Sequence, residues 1–349
     1  MIKEVLIIRL SSIGDVMHCT PVARALKTAW PECRITWLVG EVCADLIKYN
    51  PYVDEYIVGS KERFEKHLKR CEFKEAWAMW QDLIARLSAK QFYAVLDVHG
   101  LFLTGVIAKK MKVERRIGLY DARELNSLFM TETGQSTCRH ITDRYLSVLG
   151  PLGIIPNNND MTLVVPDSAK RFAADFLKQV DVIPGEKVVV LVPGTTWPSK
   201  NWPSEFFAIT ASLLASDFKI ILCGGKSEIA VGLEIEAQAK ATVINAIGQT
   251  SLLEMAALLE RASVIVAGDT GPLYIAAALN VPTVAIFGPT DPANYKPPGD
   301  RSAAVFNQQG CSFCHKHKCP TGKADCMKNV SPQEVVKKVY HLESRDRDK

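Results

Sequence analysis

VIVAGDTGPLYIAAALNVPTVAIFGPTDP, Val264–Pro292, is the stretch that decides the fold. Val264–Ala267 is a short apolar run dense in β-branched residues, the pattern of a strand buried on both faces of a parallel sheet. Gly268–Pro272 turns the chain, with Asp269 or Thr270 placed to cap a helix and Pro272 suited to its first turn. Leu273–Leu279 is rich in strong helix formers, and Asn280 is a stop. Val281–Phe287 is a second apolar strand that runs into Gly288-Pro289-Thr290-Asp291-Pro292. Two parallel strands joined by a helix leave both loops on the carboxyl edge of the sheet, where open α/β sheets bind ligands. A helix N-terminus beside Asp269, Thr270 and Gly271 suits a phosphate and a sugar hydroxyl.

Working outward, the preceding residues repeat the rhythm. Strands are expected at Lys187–Val192, Lys219–Cys223 and Val243–Asn245, with helices at Pro203–Ser216, Ser227–Lys240 and Ser251–Arg261. The N-terminal half reads the same way: strand Glu4–Leu10, small-residue loop Ser11–Asp15, helix Val16–Ala29, then strands at Arg34–Val39, Tyr56–Val58, Tyr93–Val98 and Arg115–Gly118. Lys61–Lys90 carries apolar residues near helical spacing and predicts one or two amphipathic helices. Pro151–Pro166, polar and proline-bounded, is the linker. The expected fold is α/β, with two Rossmann-like domains facing each other across a cleft. Their bounds are 1–165 and 166–330, and a C-terminal helix and tail over 331–349 is free to return to either.

The chain has 349 residues, 48% hydrophobic and 23% charged, with a net charge of +4, which suits two soluble cores and no nucleic-acid partner. No run of about 18 apolar residues is present, and the N-terminal apolar segment is too short for a signal peptide. Ten cysteines in such a chain fit a reducing, cytoplasmic setting.

Several loops carry chemistry. Asp15 reads either as a helix cap or as a carboxylate available for general-base work. Thr195, Thr196 and Lys200 follow a strand and offer hydroxyls and a cation to a diphosphate, without the spacing of a P-loop. Gly224-Gly225-Lys226-Ser227-Glu228 follows another strand; its glycines admit a ligand and Glu228 can accept from ribose hydroxyls, or the loop is an ordinary tight turn. A donor diphosphate on the second domain would face a carboxylate from the first, which is the logic of a two-domain glycosyltransferase.

IIRLSSIGDVMHCTPVARALK, PGTTWPSKNWPSEFF, GGKSE and the opening stretch, in this order, resemble glycosyltransferase family 9, whose best-known members are ADP-heptose–lipopolysaccharide heptosyltransferases. The resemblance spans nearly the whole chain. It implies a GT-B fold and an inverting transfer that requires no cofactor. The donor it implies is ADP-heptose; the acceptor is the lipid-linked, phosphorylated lipopolysaccharide core, with peripheral contact at the inner face of the cytoplasmic membrane. Position by position it implies Asp15 as general base, Thr195, Thr196 and Lys200 on the donor phosphates, with Lys200 neutralising the departing ADP, and Glu228 on the ribose. Gly225 lies in the ribose loop; Asp269, Thr270 and Gly271 match contacts to heptose and phosphate, and Gly288, Pro289 and Thr290 the second loop. Tyr274 stands where the family often has histidine, which leaves the sugar open. Competing readings are another sugar, a protein acceptor, or a binding protein without turnover.

Cys311, Cys314, Cys319 and Cys326 fall within sixteen residues, a spacing that suits a structural zinc or iron, with His315 or His317 as substitute ligands, or else free thiols. Lys109, Lys110, Lys112, Arg115, Arg116 and Arg123 form a basic run that is either a solvated face or an acceptor-phosphate contact. His99 closes the strand Tyr93–Val98 and is either a loop histidine or an acceptor contact.

Overall fold

The computed structural model describes residues 2–347. The chain forms two compact units that divide between Val164 and Val165, inside the Pro151–Pro166 stretch. The first holds strands β1 (Glu4–Ile8), β2 (Arg34–Val39), β3 (Glu55–Val58), β4 (Ala94–Asp97), β5 (Arg115–Leu119) and β6 (Glu132–Gly134). The second holds β7 (Val188–Val192), β8 (Lys219–Leu222), β9 (Val243–Asn245), β10 (Val264–Gly268), β11 (Thr283–Phe287) and β12 (Ser302–Phe306). The sheet orders are β3-β2-β1-β4-β5-β6 and β12-β11-β10-β7-β8-β9, and all the pairings are parallel. Numbered from its own first strand, the second sheet repeats the order of the first, which is the doubly wound Rossmann order.

That order places the topological switch point between β1 and β4 in one sheet and between β7 and β10 in the other. Ile8 pairs with Asp97 and Val192 with Ala267, so the loops leaving these strands emerge side by side. The central strands are nearly all apolar because helices cover both faces: VVVLV of β7 is buried along its whole length.

Local chemistry shifts the first helix. It runs Ile13–Ala29, three residues ahead of the expected start, because Ser12 takes the cap position and Asp15 turns back to it. Pro21 lies inside this helix and leaves Met17 O without its backbone donor; the Thr20 hydroxyl supplies one at 2.8 Å.

The pattern left several elements unread, among them two strands and a helix. β6 and β12 are edge strands, ETG and SAAVF, too short or too small in their side chains to show a buried run. The helix Asp167–Gln179 follows the linker directly and buries only Ala169, Ala173 and Leu177, an i, i+4, i+8 stripe made mostly of alanine. The C-terminal helix Pro332–Arg347 places Val335, Val339 and Leu342 in the core of the second unit, and the Trp202 indole donates to Val330 O at 3.0 Å. It packs on the second unit, where the sequence left the first open.

Candidate active site

At the first switch point, Asp15 accepts hydrogen bonds from four donors. Its Oδ2 receives Ser12 N at 3.2 Å and Ser12 Oγ at 2.9 Å, and pairs with Arg9 Nη2 at 2.7 Å. Its Oδ1 receives the Tyr145 hydroxyl at 2.6 Å. Burial works against the carboxylate, but the Arg9 cation, the Tyr145 hydroxyl and Ser12 outweigh it and hold the carboxyl well below its usual range. Asp15 is therefore ionised at every working pH, while its side chain keeps 32% exposure.

Arg9 reaches both strands of the switch point. Its Nη1 donates to Val98 O at 2.9 Å, its guanidinium lies 4.8 Å from the Tyr145 ring centroid, and its own carbonyl accepts from the Trp37 indole at 3.2 Å. Arg9 and Tyr145 were not singled out from the sequence. The signal for Arg9 was there: a lone cation that follows the buried run VLII inside the motif. Tyr145 carries no such signal, because 130 residues separate it from Asp15.

His99 lies at the same edge. Asp97, fully buried, accepts from His99 N and Gly100 N at 3.1 Å and from Asn126 Nδ2 at 2.7 Å, which shapes the loop. Neither ring nitrogen of His99 has a partner among the described residues. Burial, then the Arg9 and Lys61 cations, push its pKa down to about 3, so the imidazole is neutral. A cavity of about 220 Å³, lined by Leu10, Gly59, Lys61, Phe64, Trp80 and Leu103 among others, lies beside the loops leaving β1 and β3.

Of the basic run only Arg123 lies at this edge, its backbone N donating to Gly100 O at 2.9 Å. Arg115 pairs with Ala94 at the start of β4, so Lys109, Lys110, Lys112, Arg115 and Arg116 lie toward the amino end of the sheet. Arg115 forms a two-pronged pair with Glu132 at 2.9 and 2.8 Å, and Arg116 donates to Phe129 O at 2.8 Å. These two cations fasten β5 to its neighbours.

At the second switch point Lys200 and Asp269 meet. Lys200 Nζ lies 2.7 Å from Asp269 Oδ2 and 4.4 Å from the Trp197 ring centroid. Thr290 Oγ1 donates to the same Oδ2 at 2.7 Å, and the buried Tyr274 hydroxyl donates to Oδ1. Three residues, Lys200, Thr290 and Tyr274, thus share the one buried carboxylate of Asp269. Thr270, not Asp269, occupies the cap position of the next helix, which runs Gly271–Ala278, and its side chain makes no capping hydrogen bond. Tyr274 spends its hydroxyl on Asp269, so the position where the family often has histidine braces the cluster.

The neighbouring loops touch it. A Cβ on Gly194 would lie 2.2 Å from Glu228 Cγ, so glycine is what lets the β7 loop approach the β8 loop. Glu228 accepts Gly225 N at 2.7 Å, closing a turn with the ribose candidate at its mouth. Thr195 Oγ1 lies 2.8 Å from Trp197 O and 2.6 Å from Asn201 Oδ1, so this hydroxyl braces its own loop, whereas Thr196 is exposed.

The cysteine segment folds across these loops. Phe313 N donates to Gly288 O at 3.3 Å and His315 N to Pro289 O at 2.8 Å. Ser199 Oγ donates to Lys316 O at 2.6 Å, and Ser199 N to His317 O at 3.4 Å. Burial raises the pKa of Cys326, and so do Cys311, Cys314 and Cys319, whose charges it feels. Cys319 turns instead to Thr321 Oγ1 and Ala324 N, each at 3.4 Å, which bring its thiol down to about 7. Among the described residues no three ligating side chains are placed to hold a metal ion, so the spacing that suggested zinc or iron is not matched by a coordination sphere.

The geometry has relatives. The family model described as glycosyltransferase family 9 (heptosyltransferase) matches residues 80–325. Lipopolysaccharide heptosyltransferase 1 of Pseudomonas aeruginosa is 27% identical over 351 residues, covering 97% of this chain and 91% of its own. Among solved structures, a family 9 glycosyl transferase from Veillonella parvula superposes with a TM-score of 0.87 at 23% identity, covering 98% of each chain. The Escherichia coli heptosyltransferase WaaC with ADP gives 0.76 at 24% identity, covering 97% of this chain and 99% of that one. With a family model matched over more than half of its length and the family's motif loops at both switch points, the chain belongs to glycosyltransferase family 9.

Proposed function

We propose that this chain transfers heptose from ADP-heptose to the lipopolysaccharide inner core with inversion at the anomeric carbon. The observation that carries the reading is the landing of both motif sets on the switch points of two like sheets: Asp15 on the first, Lys200 with Asp269 on the second. The relatives' names supply the sugar and the acceptor.

In this mechanism the second unit holds the donor. Lys200 stabilises the charge that develops on the departing ADP, Glu228 accepts from the ribose, and Asp269 fixes Lys200 in place. Asp15 takes the proton of the acceptor hydroxyl as that oxygen attacks the anomeric carbon opposite ADP. No step runs through the cysteine segment. Calorimetry with ADP-heptose, UDP-sugars and GDP-sugars, without added metal, tests the donor. Selective binding of ADP-heptose is expected; equal binding of all three would discard the assignment.

A lipid-linked acceptor places the reaction at a membrane surface, and we read the contact as peripheral. No helix of the described residues is long and apolar enough to cross a membrane. The helices Lys61–Lys69 and Phe73–Ser88 carry exposed Leu68, Phe73 and Trp77 among Lys66, Lys69 and Lys74, a composition suited to an anionic interface. Co-sedimentation with phosphatidylglycerol vesicles is expected, and Phe73→Ser with Trp77→Ser should reduce it severalfold. Unchanged sedimentation of the double variant would rule this surface out.

A further inference from the structure

The Asp15 carboxylate is crowded unevenly. Oδ2 has three donors, Ser12 N, Ser12 Oγ and Arg9 Nη2, for two in-plane lone pairs. Oδ1 has one, the Tyr145 hydroxyl at 2.6 Å. Tyr145 is buried at 1% exposure, and its hydroxyl donates to Asp15 Oδ1. Its ring is held by the Arg9 guanidinium at 4.8 Å and the Arg144 guanidinium at 5.8 Å.

We propose that Tyr145 is a positioning residue for proton transfer: it locks the carboxylate plane so that the open lone pair of Asp15 Oδ1, and not Oδ2, receives the acceptor proton. The inference rests on Asp15 being the base. In the step, a lone pair of the acceptor oxygen forms the bond to the anomeric carbon, and the O–H bond breaks with its electron pair staying on that oxygen. The bond from that carbon to the diphosphate oxygen breaks, and its pair leaves with ADP. The proton ends on Oδ1, giving a neutral acid that still accepts from Tyr145.

Tyrosine suits this post better than a second cation would. Burial, then Asp15 itself, raise the phenol well above its ordinary value despite the Arg9 cation, so it stays a donor throughout. It orients Oδ1 with a single directional bond and leaves the other side of that atom open. The titratable and charged groups that face Asp15 are Arg9, Tyr145 with Arg144 behind it, Cys19 on its own helix, Cys43 and His99. Of these only Tyr145 bonds to Oδ1.

The test compares three variants in a transfer assay with ADP-heptose and a core acceptor. Tyr145→Phe keeps the buried ring and removes only the hydroxyl. It is expected to lower kcat roughly 10- to 100-fold with donor affinity unchanged, as a loosened carboxylate misplaces the proton acceptor. It should also move the acidic limb of the pH profile upward, toward the ordinary aspartate value of about 3.9, because a donor to the charged form is lost. Replacing Tyr145 with 3-fluorotyrosine keeps the hydroxyl and should restore kcat to within about threefold, which separates the bond from the fold. Asp15→Asn separates this inference from the reading it rests on. If Asp15→Asn abolishes transfer while Tyr145→Phe leaves kcat and the acidic limb unchanged, the role of Tyr145 is overturned and the base stands. If Asp15→Asn transfers normally, both fall.

Discussion

Asparagine at position 15 is expected to lower turnover about 10²- to 10⁴-fold, the usual worth of a general base, while ADP-heptose binds as before. The expectation has to meet an objection, since a carboxyl held far below its ordinary pKa is a weak base. The reaction removes the objection. As the acceptor oxygen bonds to the anomeric carbon it becomes positively charged and strongly acidic, so a weak base suffices late in the step. What matters beforehand is that Asp15 stays charged, and Arg9, Tyr145 and Ser12 ensure that. The same depression makes a second measurement decisive. A carboxyl with a lowered folded pKa contributes stability that is complete above the unfolded value of about 3.9 and is lost as pH falls below it. Thermal melts of the wild type should therefore weaken below about pH 4, and part of that slope should vanish in Asp15→Asn. Full turnover in the variant would remove Asp15 from the mechanism.

The second large effect belongs to Lys200. Lys200→Met is expected to cost about 10²- to 10³-fold in turnover through loss of charge stabilisation on the leaving diphosphate. It should also destabilise the second unit. The Lys200 and Asp269 side chains are 13% and 6% exposed, and removing one partner of a buried pair costs about 3–5 kcal/mol. Thr290 and Tyr274 would still donate to Asp269 but cannot neutralise it. Pairing Lys200→Met with Asp269→Asn should therefore recover much of the melting temperature and none of the activity. If the double variant also recovers turnover, the cation does no work on the diphosphate.

The sheets were legible because parallel strands buried on both faces are nearly pure in Val, Ile and Leu, and β7, β10 and β11 announce themselves. The edges were not: Glu132–Gly134 and Ser302–Phe306 lack a continuous apolar run, and backbone pairing alone makes them strands. At the sites, Asp15, Lys200 and Asp269 could be picked out because each lies shortly after the end of a recognisable strand, Asp15 in the first turn of the helix that follows β1. Tyr145 could not, since a tyrosine on an amphipathic helix looks like any core residue until the fold turns it onto Asp15. For the cysteines, spacing gives only the chain length between thiols, and in this structure Cys319 lies against Thr321 and Ala324.

The segment that carries those cysteines has a consequence for which changes the chain tolerates. It meets the donor loops through its own backbone: Phe313 N and His315 N toward Gly288 and Pro289, Lys316 O and His317 O toward Ser199. Main-chain contacts do not read side-chain identity. Substitution of Lys316 should pass with little effect, whereas His317, whose ring lies 5.7 Å from that of Trp197, and His315, whose φ is 53°, are less free; inserting or deleting one residue there would slide the carbonyls and amides out of register with both loops at once. Segment length is thus a constraint in its own right, set by main-chain bonds to two loops.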